Sequence, residues 1–175
     1  MLLYEKLAEI LGREKIFKDI DNFSPGDNFP VLLSERLSGA DIVLAVIGPN
    51  WSVYDPIREE RRLDNPEDWV RIEIGSALKQ NKLVVPVRVN GAPVLKAEEL
   101  PDDLKPLANT HSQLLSNDKF VPEAKTLGQF LAKQLVDIEA EKAASEAASG
   151  RTGKKASRAT GETPKSKRSA RRSQK

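Results

Sequence analysis

The segment Asp41–Gly48, DIVLAVIG, constrains this chain more than any other. Its apolar residues run without alternation and stop at a glycine. A strand that half faced water would alternate, so this pattern predicts a strand buried on both faces, as in parallel sheets. KLVVPVRV, at 82–89, repeats the pattern. Between the two lies WVRIEIGSALKQ, at 69–80, which is helical by spacing, with Trp69, Ile72, Ala77 and Leu78 able to line one side. Strand, helix and strand in that order predict a parallel sheet with helices on both faces.

The flanking segments extend this scheme. Leu2, Leu3, Leu7, Ile10 and Leu11 recur at helical spacing opposite Glu5, Lys6, Glu9 and Arg13, and Gly12 supplies a stop. KIFKDI, at 15–20, alternates as a short strand, and DNFSPGDNF, at 21–29, is a turn-rich loop. Residues 30–37 read as helical, with Pro30 in the first turn and Leu32, Leu33 and Leu37 on one face. A long polar loop covers 49–68. ELPDDLKPLAN, at 99–109, reads as a short helix between prolines, and HSQLLS, at 111–116, as a last short strand. From Thr126 to Ala147 the stripe Leu127, Phe130, Leu131, Leu135 and Ile138 marks an amphipathic helix. After Ala148 no large apolar residue remains, so that segment cannot bury enough surface to order itself. The expected division is a globular domain over 1–140, then a helix end and a disordered basic tail over 141–175. The chain has no internal repeat.

Composition narrows the chemistry. There is no cysteine, which removes disulfides, thiolate nucleophiles and nearly all structural zinc sites. His111 is the single histidine, and no nucleophile-elbow pattern accompanies it, which argues against a Ser-His-Asp triad. No His or Cys cluster points to a metal, and no glycine-rich phosphate loop is present. Glu98, Glu99, Asp102 and Asp103 read as a solvated helix face. No apolar run approaches the roughly 20 residues that cross a membrane. The first residues carry Glu5 and Glu9 rather than a basic stretch before an apolar one, unlike a signal peptide. The expectation is a soluble, cytoplasmic protein. Ten of the 28 Lys and Arg residues, but one of the 26 acids, lie from Arg151 onward, so the tail carries +9 and the remainder, 18 basic against 25 acidic, −7. Such a tail is either a polyanion contact or a solubilising extension, and it lacks aromatic residues for base stacking.

Three places are candidates for a site. Trp69 and Glu73 stand four apart, one helical turn, so an aromatic ring and a carboxylate share a face. They suit a ligand with a flat ring and a sugar, or a core tryptophan beside a surface acid. The loop from Asp21 to Asp27, with Phe23, follows a predicted strand at the edge where open α/β sheets bind ligands, and reads equally as a solvent turn. Gly48-Pro49-Asn50-Trp51 ends the strongest strand, with Trp51 either a ligand platform or a loop anchor.

In order, KIFKDIDNFSPGDNF, ADIVLAVIGPNW, RRLDNPEDWVRIEIGSAL, VVPVRVNGA and ELPDDLKPLA resemble bacterial TIR-like domains, from the first residue to about Val136. The resemblance implies a flavodoxin-like, three-layer α/β fold lacking the first, central strand, since the chain starts inside what looks like the following helix. Residues 21–29 look like the family's BB loop, and Glu73 falls where catalytic members carry their essential glutamate. What this implies is cleavage of NAD at the nicotinamide–ribose bond. NAD is then a substrate, and no cofactor or metal is required. Glu73 would be catalytic, and Trp69, Phe23, Asp21 and Trp51 substrate-binding. The alternative is a non-catalytic adaptor that assembles through TIR–TIR contacts. Either way, other TIR domains are the expected partners, with self-association foremost.

Overall fold

The computed structural model describes residues 2–17, 35, 37–55, 57 and 59–156. Helix α1 spans Leu2–Leu11 and buries Leu7 and Ala8. It stops at Gly12, whose φ of 92° is a conformation that costs glycine little. Strand β1 is Ile42–Ile47. Two short strands follow, β2 (Tyr54–Asp55) and β3 (Glu60–Arg61), paired antiparallel within the segment expected to be a plain loop. Helix α2 is Trp69–Lys79, β4 is Leu83–Val89, β5 is Gln113–Leu115, and α3 is Phe120–Ala156.

Both unbroken apolar runs are strands, and they pair parallel from Ile42 against Leu83 to Ile47 against Arg88. On the other side of β4, β5 also runs parallel, from Val87 against Gln113 to Val89 against Leu115. That ladder begins one residue past Pro86, which has no N–H to offer. The order β1-β4-β5 places β4 in the middle.

Alternation along the strands sorts the core into two layers. Val43, Ala45, Ile47 and Val84 pack with Ile74 and Ala77 of α2 and with Leu63, Leu104 and Leu107. Ile42, Leu44, Leu83, Val85, Val87 and Val89 face the opposite way, against Leu7 of α1 and Ala124, Leu127 and Leu131 of α3. Helices on both faces of a parallel sheet make this an α/β fold of the flavodoxin-like kind. Each fully buried aliphatic side chain, such as Ile47, contributes about 1.5–3 kcal/mol to this packing. Strand β4 buries Val84 through Val87, whereas in β1 Val46 is 48% exposed. Among the described residues β1 pairs with β4 alone.

Several expectations change. Lys15 closes a 3-10 turn, Arg13–Lys15, and Ile16 and Phe17 join no strand; the rest of KIFKDI lies outside the described residues. Of the helix expected over 30–37, Glu35 and Leu37 are helical and Leu37 is buried, while Leu32 and Leu33 lie outside the described residues. The segment between prolines is a turn followed by a 3-10 helix, Lys105–Asn109, because Pro106 at its start interrupts α-helical bonding. Trp69 does not join the buried side of α2, which is made by Ile74, Gly75 and Ala77. Phe130 is 44% exposed, so the α3 stripe narrows to Ala124, Leu127 and Leu131.

Contacts divide the chain inside α3, into Met1–Val136 and Asp137–Lys175. The sheet and both core layers lie in the first unit. In the second, α3 continues to Ala156. No helix among the described residues is long and apolar enough to cross a membrane.

Candidate functional site

Helix α2 starts where it does because Asp68 caps it. The Asp68 backbone is extended, and its Oδ1 accepts from the N–H of Arg71 at 3.2 Å. Its Oδ2 accepts from Arg62 Nε at 2.5 Å, so the buried carboxylate has a charge partner as well as a helix N-terminus to satisfy. A helix that links two parallel strands runs back against them. Its N-terminus therefore lies at the carboxyl edge of the sheet, where open α/β sheets bind ligands.

Trp69 is the first residue of α2 and Glu73 lies one turn on, about 6 Å along the axis. Trp69 is 46% exposed and Glu73 half-buried. A core tryptophan would be enclosed; this one is half exposed, on a helix start that lies at the ligand-binding edge. Trp51, in the turn after β1, is half-buried and packs against the cluster that holds Ile47, with its N–H donating to Gly48 O at 3.2 Å. It thus anchors the loop that leaves the same edge. Asp21 and Phe23 lie outside the described residues. His111 is exposed.

The polar groups that hold this edge were mostly not legible as site residues. Arg61 donates to Asp64 through Nε at 2.8 Å and Nη2 at 2.7 Å, and to the carbonyl of Glu99 through Nη1 at 2.5 Å. The hydrogen bonds from Arg61 hold the Asp64 carboxyl below its ordinary range. Arg71 donates to the carbonyls of Leu63 at 3.1 Å and Asp64 at 2.8 Å, and to Asp103 Oδ2 at 3.1 Å. Asp103 is therefore not part of a solvated face, as its acidic neighbours had implied; the guanidinium of Arg71 covers it. Asp102, next to it, is exposed and pairs with Lys105 at 2.5 Å, which lowers its pKa. The cap at Asp68 was readable from an acid directly before a helical pattern. The Arg71–Asp103 pair joins residues too far apart for any local pattern to announce.

The arrangement offers one carboxylate and one exposed aromatic ring on a well-fixed helical turn. A carboxylate so placed can stabilise positive charge that develops on a bound sugar, and the ring can stack on a planar group. A sequence profile for the TIR domain matches residues 3–124, which takes in every strand and α2. No curated protein matches the chain. With the profile covering well over half of the 175 residues and the fold in agreement, the chain belongs to the TIR domain family, which serves signalling and defence.

Proposed function

We propose that this TIR domain cleaves NAD at the nicotinamide–ribose bond, with Glu73 as the catalytic carboxylate. The observation that carries the reading is the pairing of half-exposed Trp69 with Glu73, one turn apart, at the carboxyl edge of the sheet. Glycoside hydrolases ordinarily need a second acid to protonate the leaving group. Nicotinamide in NAD already carries a positive charge and departs neutral, taking the electron pair of the C–N bond. What remains is an oxocarbenium-like ribose. A fixed carboxylate stabilises that charge more in the transition state than in the ground state. Water then adds to the anomeric carbon and loses a proton, leaving ADP-ribose. Trp69 packs against the ribose or the ring, Trp51 bounds the edge, and Phe23 and Asp21 shape the pocket. NAD is the substrate, and the reaction requires neither cofactor nor metal. The cytoplasm supplies that substrate, and contact between TIR domains completes the active assembly.

One observation favours a second reading, a non-catalytic interaction module. Val46 is half exposed, and among the described residues its strand β1 pairs with β4 alone; exposed strand edges favour association.

The test is nicotinamide release from NAD by the purified chain at high concentration, with a Glu73→Ala variant beside it and self-association measured on both. Release that disappears in the variant while association persists supports the enzyme. Association without release by either protein supports the module and removes the enzyme.

A further inference from the structure

We infer that Arg71 and Asp103 form a clamp that fixes the orientation of the Trp69–Glu73 face, and that both are positioning residues for the chemistry proposed at Glu73. The inference rests on the NAD reading for its consequence and on geometry for its existence.

Every side of the Arg71 guanidinium is engaged. Nε donates to Asp103 Oδ2 at 3.1 Å, Nη2 lies 3.1 Å from Asp103 Oδ1, and Nη1 donates to the carbonyls of Leu63 and Asp64. One side chain thus ties α2 to the turn before it and to the turn at 101–104. Asp103 Oδ1 is buried and has no hydrogen-bond partner among the described residues, so the ion pair with Arg71 is what offsets its burial. A lysine keeps the charge but lacks the planar fork, and cannot reach the carboxylate and two carbonyls together.

A second observation converges on the same carboxylate. Gly75 lies one turn beyond Arg71, and a Cβ there would stand 3.3 Å from Asp103 Oδ2. The bare backbone at Gly75 lets Asp103 lie against the helix. Leu104, the next residue, is fully buried in the core, which fixes the turn that carries the carboxylate. Arg61 adds a parallel tie through the carbonyl of Glu99.

Arg71 lies about 160° round the helix from both Trp69 and Glu73. The clamp therefore grips α2 on the side opposite Trp69 and Glu73. With the clamp released, the first turns of α2 rotate and fray while the sheet stays intact. A carboxylate displaced by about an ångström loses most of its hold on a developing cation, so the loss falls on turnover more than on binding.

The experiment uses the full chain and two variants, Arg71→Lys and Asp103→Asn, with amide exchange and steady-state kinetics on each. Asp103→Asn keeps the shape and serves where Arg71→Lys perturbs folding. The β4 amides, Val84, Val85 and Val87, report whether the core is intact. The expected result is exchange at least about tenfold faster from Arg71 to Gly75 with β4 unchanged. In kinetics, kcat for nicotinamide release falls about tenfold or more, KM stays within about twofold, and the double variant falls no further than the worse single one. Unchanged exchange in both variants overturns the clamp, whether or not NAD is turned over. Faster exchange with unchanged kcat overturns the positioning role. If the wild-type chain releases no nicotinamide, the NAD reading fails separately, and exchange alone decides the clamp.

Discussion

Asp68 shows how much of the candidate site depends on single side chains. It ends an extended segment, caps α2 and accepts an ion pair from Arg62, all directly before Trp69. Replacing Asp68 with alanine removes the cap and leaves Arg62 without that partner. The expected cost is about 0.5–2 kcal/mol, read from urea denaturation. Arg62 is mostly exposed, so the pair itself contributes little and the cap dominates. An Arg62→Ala variant should therefore lose clearly less than Asp68→Ala. Equal losses would mean that the ion pair, not the cap, holds the turn. At this scale the sequence was informative where the chemistry is local. Trp69 and Glu73 fall on one face by spacing alone, and the acid at Asp68 directly before the helical pattern was a signal that could have marked the cap. It was uninformative where the partner is distant, as with Arg71 and Asp103, 32 residues apart.

At the scale of elements, unbroken apolar runs proved the most reliable guide. DIVLAVIG and KLVVPVRV both became parallel strands, because such runs satisfy only a sheet covered on two faces. They did not reveal which strand is central. That depends on pairing, and among the described residues β4 lies between β1 and β5. The consequence is measurable at two adjacent positions. Ile47 is 1% exposed and Val46 48% exposed. Ile47→Ala should cost about 2–5 kcal/mol, and Val46→Ala about 1 kcal/mol or less. Comparable losses at both positions would contradict the burial pattern of β1. Helical spacing identified α2 but placed Trp69 on its buried side. Aromatic size favours burial, yet Trp69 is 46% exposed and the buried side is made by Ile74, Gly75 and Ala77. Likewise Phe130 fitted the α3 stripe by spacing, but α3 buries Ala124, Leu127 and Leu131 instead.

For the whole molecule, charge is divided as sharply as structure. The residues before Arg151 carry −7 and those from Arg151 onward +9, by 18 basic against 25 acidic and ten against one. Where a basic tail of this kind contacts a polyanion rather than serving as a solubilising extension, it binds chiefly by releasing counterions, so affinity falls steeply with salt. Deleting residues 150–175 should abolish salt-sensitive binding to a single-stranded oligonucleotide, measured by fluorescence anisotropy, and leave the thermal unfolding midpoint unchanged. Binding that survives the deletion would place the contact elsewhere. The TIR profile stops at residue 124, well short of this segment, so the tail stands apart from what the family shares.

The central claim is that Glu73 acts on NAD. The most direct measurement is an NMR time course of NAD with the wild-type chain and with Glu73→Gln, both at high protein concentration. Glutamine keeps the shape of the side chain and removes its charge, so the stabilisation of the ribose cation is lost, and the unfolding midpoints of both proteins are compared alongside. The account predicts nicotinamide release by the wild type and a loss of about 10²-fold or more in the variant, the scale seen when one electrostatic contact to a transition state is removed. Equal release by the two proteins, or no release from a well-folded wild type, would contradict it.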